Sequence, residues 1–276
     1  MADFLMRGGS PLSVEEWTRL DEMVVGVSRM ILVGRRFIQL AGPFGFGAQV
    51  VPLDKIQGEE ACTHEGASCC CESGECDAVR VAERSYVPLQ LIHKDFVLAW
   101  RDIEAAHQPG QSLELGPAAA AAARVAQAED KMVLQEGLLK VDGTQTVALG
   151  DWSVSGTAVS DVAAASGALA AAGVVGQYAL VLSPDLYALL LRPYKASGEP
   201  EIELIEEIAE AGIFQSPVLG PKQALLLARG AQYLDLAVGQ DAVTAYVGPE
   251  GMDHRFRVLE SLTLRVKQPG AICVLK

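Results

Sequence analysis

Apolar positions recur every three or four residues along 13–33, at Val14, Trp17, Leu20, Val24, Val27 and Ile31. That is the period of one helical face. Ser13 and Glu16 stand in S-x-x-E spacing, a capping box with Leu12 as its staple, and Gly34 fits the stop. The stripe is narrow, so this helix must dock on its own domain, a neighbour or a ligand. RRFIQLAGPFGFG then reads as a short strand running into a Gly/Pro turn. Residues 57–85 are polar and poor in large apolar side chains, which predicts a long loop or an extended arm. DFVLAWRDIEAAH, 95–107, reads as a helix with Phe96, Trp100 and Ile103 on one side. Pro117 opens a second, long helix through AAAAAARVAQAEDKMVLQEG, since Pro suits the first turn.

Residues 143–221 read as a separate α/β unit. A polar strand, an Ala-rich helix (SDVAAASGALAAAG), a strand (YALVLS), a short helix (PDLYALLLR), an acidic helix and GIFQSPVLG follow one another. Residues 224–276 are mostly strand. In SLTLRVK, Leu262, Leu264 and Val266 alternate with polar residues, the mark of a half-buried antiparallel strand. No internal repeat appears. Helices and strands mix without a βαβ rhythm, which gives an α+β class.

Composition narrows the functions. Half of the 276 residues are apolar, enough for a real core and too many for a disordered chain. The formal net charge is −13. Phosphate backbones and anionic membranes reward clustered cations, so neither nucleic acid nor membrane is the expected partner. The start lacks the apolar region of a secretory signal. The uncharged run 162–184 is long enough to span a bilayer, but its Gly, Ser, Gln177 and Pro184 fit a helix, a turn and a buried strand. A cytoplasmic protein is expected.

Enzyme signatures are missing. There is no Gly-Lys pair for a phosphate loop, no complete dinucleotide fingerprint, no G-x-S-x-G and no HExxH. The lone E-x-x-H, Glu104 to His107, lacks the further ligands of a di-iron bundle and fits an exposed last turn. Glu203, Glu206, Glu207 and Glu210 share a helical face opposite Ile202, Ile205, Ile208 and Ala209. Such a run is ordinarily a solvated face; the sharper reading is a carboxylate ring about a symmetry axis.

Five stretches together resemble the encapsulins, shell proteins of bacterial and archaeal nanocompartments with the tailed-phage major capsid protein fold. They are PLSVEEWTRLDEMV, LVGRRFIQLAGPFGFG, KDFVLAWRDIEAA, DLAVGQDAVTAYVG and FRVLESLTLRVKQPGAICVL. Their order and spacing span most of the chain, and the likeness is to iron-storage members with ferritin-like cargo. The resemblance implies a peripheral domain from 1–50, 90–142 and 222–276, an extended loop at 51–89 and an axial domain at 143–221. It implies a non-enzymatic subunit that self-assembles into an icosahedral shell with no required cofactor. It also implies a groove for the C-terminal peptide of a cargo protein, rich in Leu, Ile and Gly. The matching positions are Leu20, Val24, Val27, Ile31, Arg35, Ile38, Asp241, Val243 and Tyr246. Two or three buried aliphatic anchors contribute about 1.5–3 kcal/mol each, and a multimeric cargo gains the rest through effective concentration. The alternative is that these residues only pack the helix on its domain. The five-fold pore loop would be Lys195, Ala196, Ser197, Gly198, Glu199, Pro200 and Glu201, passing small cations.

The chain departs from many relatives in a longer stretch before VPL that holds Cys62, His64, Cys69, Cys70, Cys71 and Cys76. A soft metal such as zinc or cuprous copper suits these donors, though no paired C-x-x-C is present. Inter-subunit disulfides and an inert loop are the other readings. A small α+β metal- or redox-binding protein using this loop is the alternative to the shell. Cys273 reads as a small core residue. Trp100 and Arg101 lie beside the position where some relatives hold a flavin, and flavin is not carried over.

Overall fold

The computed structural model describes residues 4–58, 64–65, 68–69, 78–108, 110–194 and 198–276, with backbone alone at 64–65 and 68–69. The first helix, α1, spans Val14–Ile31. Its capping box is in place: the Glu16 amide donates to Ser13 Oγ at 3.3 Å, and the Ser13 amide donates to Glu16 Oε2 at 2.7 Å. Leu12 and Trp17 share one buried cluster, the staple that the sequence predicts.

Next come β1 (Leu40–Ala41) and β2 (Val50–Gln57), then the short β3 (His64–Glu65) and β4 (Ser68–Cys69), and then β5 (Arg80–Pro88). At the two ends of the stretch expected to be a loop or an arm, β2 and β5 pair antiparallel, Val50 opposite Pro88 and Gln57 opposite Arg80. The next element corrects the sequence reading. DFVLAW opens as strand, because β6 runs Gln90–Leu98, and only Trp100–Ala106 forms helix α2. Phe96 pairs with Phe256 across the sheet, their rings stacked at 5.4 Å. Pairing with a long neighbouring strand outweighs the helical spacing of three apolar residues. The Trp100 amide donates to Asp253 Oδ1, which fixes where the helix begins.

Helix α3 is Gly116–Asp130, continued by a π-helical stretch over Lys131–Leu138. The rest is β7 (Gln145–Val147), α4 (Thr157–Ala171), β8 (Tyr178–Leu182), α5 (Pro184–Leu190), α6 (Glu201–Glu206), β9 (Gly212–Gln215), β10 (Ala224–Ala228), β11 (Leu234–Glu250), β12 (Asp253–Val266) and β13 (Ile272–Leu275). Helix α6 is shorter than the apolar face at 202–209 suggests.

Two sheets organise the molecule. One has the order β1-β11-β12-β6 and the other β7-β13-β10-β8-β9. Strands β8, β10 and β13 are buried along their whole lengths, so each is a continuous apolar run, as a sheet covered on both faces requires. Helix α4 and Trp152 cover one face. Phe37 and Met132, Val133, Leu134 and Leu138 of the π-helical stretch cover the other. The second sheet thus draws β10 and β13 from beyond residue 221, where the sequence reading closes the axial unit. In the first sheet, α1 and α3 pack on one face through Trp17, Leu20, Val24, Ala118, Ala122, Phe96 and Phe256. The small Ala side chains let the helices lie close. Cys273 is fully buried, as expected, and burial pushes its thiol up to about 11.

Candidate functional site

A cavity of about 410 Å³ opens between the C-terminal half of α1 and the edge of β11. Val25, Ser28, Arg29 and Leu32 line it from α1 and its cap; Arg35, Arg36 and Leu40 follow, and Asp241 and Ala242 face them. Strand β11 is bulged here. Gln240 pairs with Ser261 and Val243 with Leu259, so Asp241 and Ala242 together oppose Glu260. A bulge re-aims the extra side chain, and Asp241 Oδ1 accepts from Arg35 at 2.6 Å.

Arg35 organises the floor. Its Nε and one terminal nitrogen donate to the two oxygens of Glu129 at 2.7 Å each. The same terminal nitrogen donates to Glu260 Oε2 at 2.9 Å. The Glu129 and Glu260 side chains are 1% and 2% exposed. Burial alone would lower the guanidinium pKa, but Glu129, Asp241 and Glu260 outweigh it and hold Arg35 protonated. Asp241 is drawn below the usual carboxylate range, the Arg35 bond overcoming its partial burial. Beside the cluster, Asp130 accepts from the Val33 and Gly34 amides at 2.8 and 2.9 Å and so closes the chain behind α1. Burial pushes its carboxyl up to about 6 despite those bonds.

Glu260 is pushed from the usual 4.5 to about 9, first by burial and then by the charge of Glu129. The folded state therefore holds a proton that the unfolded chain releases, and stability falls as pH rises through that window. Glu260→Gln keeps an acceptor for Arg35 and cannot ionise. Its melting temperature is expected to match the parent near pH 4.5 and to exceed it increasingly towards pH 9. A gap that stays constant with pH would show that the carboxyl does not titrate as described.

The cavity is lined in part by other residues than those the family resemblance implies for a groove. Leu20, Val24 and Tyr246 lie in the hydrophobic cluster beneath α1, 0%, 1% and 6% exposed, and Ile38 is buried beneath the π-helical stretch. These four hold the helix on its own domain. Val27 lies half-buried against the same cluster, and Ile31 and Val243 are half-buried. Arg35 and Asp241 both line the cavity. From α1 and its cap, Val25, Ser28, Arg29 and Leu32 line the cavity, the helical face next to the predicted stripe, with Val25 and Arg29 exposed and Ser28 and Leu32 buried. Their own spacing of three and four is legible in the sequence, but only two of the four are apolar. Ser28 Oγ is buried with no partner among the described residues.

Of the pore-loop residues, Lys195, Ala196 and Ser197 lie outside the described residues. The neck of the loop is a tight turn: Gly198 sits in the left-handed region at φ +84°, its amide donates to Tyr194 O, and the Tyr194 amide donates to Glu199 O. Pro193 and Pro200 form a bridge. Glu201 departs from the expectation of an exposed loop acid, since it is buried and accepts from the Gly156 amide at 2.9 Å. Glu203, Glu206, Glu207 and Glu210 are exposed. Cys62, Cys70, Cys71 and Cys76 lie outside the described residues, as do the side chains of His64 and Cys69, and the metal, disulfide and inert readings all fall there. Among the described residues, no helix is long and apolar enough to cross a membrane.

The family profile described as "Encapsulating protein for peroxidase" matches residues 2–263. The chain belongs to the encapsulins. It is 42% identical to the type 1 encapsulin shell protein EncA of Myxococcus xanthus over all of this chain and 97% of that one. A ferritin-like–encapsulin shell fusion protein of Pyrococcus furiosus is 30% identical over 72% of this chain and 56% of its own length. Among solved structures, a virus-like particle from Pyrococcus furiosus superposes with a TM-score of 0.79 at 25% identity, covering 95% of this chain and 100% of that one. The capsid of the Myoviridae phage XM1 superposes at 0.63 with 14% identity, covering 86% and 88%, a likeness of fold. The encapsulin chain therefore has the capsid fold, an α+β architecture, and is a shell protein of a nanocompartment.

Proposed function

We propose that this encapsulin subunit assembles with copies of itself into a closed icosahedral shell, and that the groove between α1 and β11 takes the C-terminal peptide of an enclosed, ferritin-like cargo protein. The observation that carries the groove reading is an open cavity over a rigid charged floor, with the neighbouring apolar residues of α1 already used in the core. Val25 and Leu40 offer exposed aliphatic contact above the buried Leu32, while Arg29 and Arg36 offer polar groups at the rim. That mix suits a short extended peptide with apolar anchors. The ferritin-like domain fused to a shell in the Pyrococcus furiosus relative supports a cargo of that class here. The subunit's own role is structural.

Size-exclusion chromatography followed by negative-stain imaging tests the assembly. Uniform hollow spheres tens of nanometres across are expected, and a stable monomer would overturn it. Val25→Arg tests the groove. The residue is exposed on α1, so shells should form at normal size while co-expressed cargo in them falls about tenfold, the equivalent of one lost aliphatic anchor. Unchanged loading in intact shells would move the cargo site elsewhere.

A further inference from the structure

The outer edge of β11 is taken by other segments of the chain on both sides of the groove, and between them its polar groups are met locally, the Ala242 amide donating to Asp241 Oδ1 at 2.8 Å and Asp241 O accepting from Gln240 Nε2 at 3.1 Å. Upstream, the Phe44 amide donates to Val238 O and the Gly45 amide to Gly239 O, both at 2.9 Å. Downstream, the Tyr246 amide donates to Leu5 O at 2.8 Å, so the chain's own N-terminal segment takes up the strand edge there. Asp241 and Ala242, which line the groove, fall between.

The segment is held as a fixture. Arg7 binds both oxygens of Asp21, at 2.7 and 2.8 Å, donates through Nε to Thr244 O at 3.0 Å, and lies over the Trp17 ring at 4.4 Å. Phe4 stacks on Phe46, centroids 6.0 Å apart and planes 9° apart, so the two pieces of chain that cover the edge also touch each other. Asp21 precedes Val25 by one helical turn, and Thr244 follows Ala242 by one strand repeat. Both walls therefore place residues 4–9 at the same end of the open cavity.

We infer that residues 4–9 are the end stop of the groove, latched by the ion pair of Arg7 with Asp21, so that the groove accepts a short extended segment and gives a longer one no further contact. This rests on the reading of the groove as the cargo-peptide site and adds what sets the length of that peptide. The occupant is an aliphatic segment in extended conformation. The stop lies against the same two elements, α1 and β11, that wall the groove.

Two fluorescent proteins of different colour test this when co-expressed with the full chain. One carries a C-terminal tail of about six residues of Leu, Ile and Gly, and the other a tail of about twelve that repeats the first. The colour ratio in purified shells is the readout. The parent shell should load both equally, because the second set of anchors finds no surface. Asp21→Asn, or deletion of residues 2–9 should the first variant fail to assemble, should favour the longer tail by about tenfold, the gain from one further buried aliphatic side chain. A parent that already prefers the longer tail, or variants whose ratio stays at one, would overturn the stop while leaving the groove reading intact. Exclusion of both tails from parent shells would overturn the groove reading and the stop with it.

Discussion

Arg35→Ala is expected to destabilise the subunit by about 3–5 kcal/mol and to reduce folded protein and shell yield together. The reason lies in what the guanidinium leaves behind. It joins the turn after α1 to α3, β11 and β12 through Glu129, Asp241 and Glu260. Two of those carboxyl groups are almost wholly buried, and water cannot replace the fork that Arg35 supplies. Removing one partner of a buried ion pair strands the other, which costs far more than the intact pair contributes. Chemical denaturation of Arg35→Ala, Glu129→Gln and the double variant checks this. The double variant should recover most of the loss, because the stranded carboxyl is gone. An Arg35→Ala subunit within about 1 kcal/mol of the parent would place the cluster among pairs that contribute little. So would a double variant no better than the single one.

That cluster also marks the limit of reading this chain from its sequence. The capping box, the docked first helix and the buried strands all follow from local pattern, and the structure has them where the pattern puts them. Residues 95–98 do not, because their strand is fixed by pairing with β12, which lies far off in sequence. The site is legible in part for a similar reason. Arg35 and Asp241 were recoverable from a family likeness, whereas the face of α1 that stays open depends on which face the core takes. The core takes Leu20 and Val24, and Val25, Ser28, Arg29 and Leu32 line the cavity, a division that residue type does not make, since Val24 and Val25 are the same side chain. Glu260, in VLESL, and Asp235, in LDLAV, are buried acids inside apolar strands. Nothing local distinguished Glu129 from a surface helix residue. Glu201 illustrates the reverse error, since its place in an acidic run suggests exposure while its carboxylate caps the Gly156 amide.

Arg265→Ala is expected to leave the subunit folded but to spread the size of the particles it forms. Arg265 pairs with both oxygens of Asp235 at 2.8 Å, donates to Pro52 O at 2.8 Å and lies over the Phe44 ring at 5.8 Å. One side chain thus fastens the root of the β2–β5 arm to the first sheet. It does so beside an open cleft of about 550 Å³ that separates Pro52, Asp54 and Ile56 from Gln232, Lys267 and Gln268. Asp235 keeps Lys267 at 2.8 Å, so its charge is not stranded. The stability loss should stay near the 1.5–3 kcal/mol typical of hydrogen bonds to charged groups, about 2 kcal/mol. The arm loses its tether to a greater degree, because the Pro52 carbonyl then faces the cleft. If shell curvature depends on the pitch of the arm, imaging should show a broader diameter distribution with a melting temperature lowered by only about 4–8 °C. Arg265→Lys separates charge from geometry. It can still pair with Asp235 but cannot bridge to Pro52 with a planar fork, so it should resemble the Ala variant in particle spread and the parent in stability. Particles as uniform as the parent's in both variants would show that the arm is held by its strand ladder and by the buried Val51 without this guanidinium.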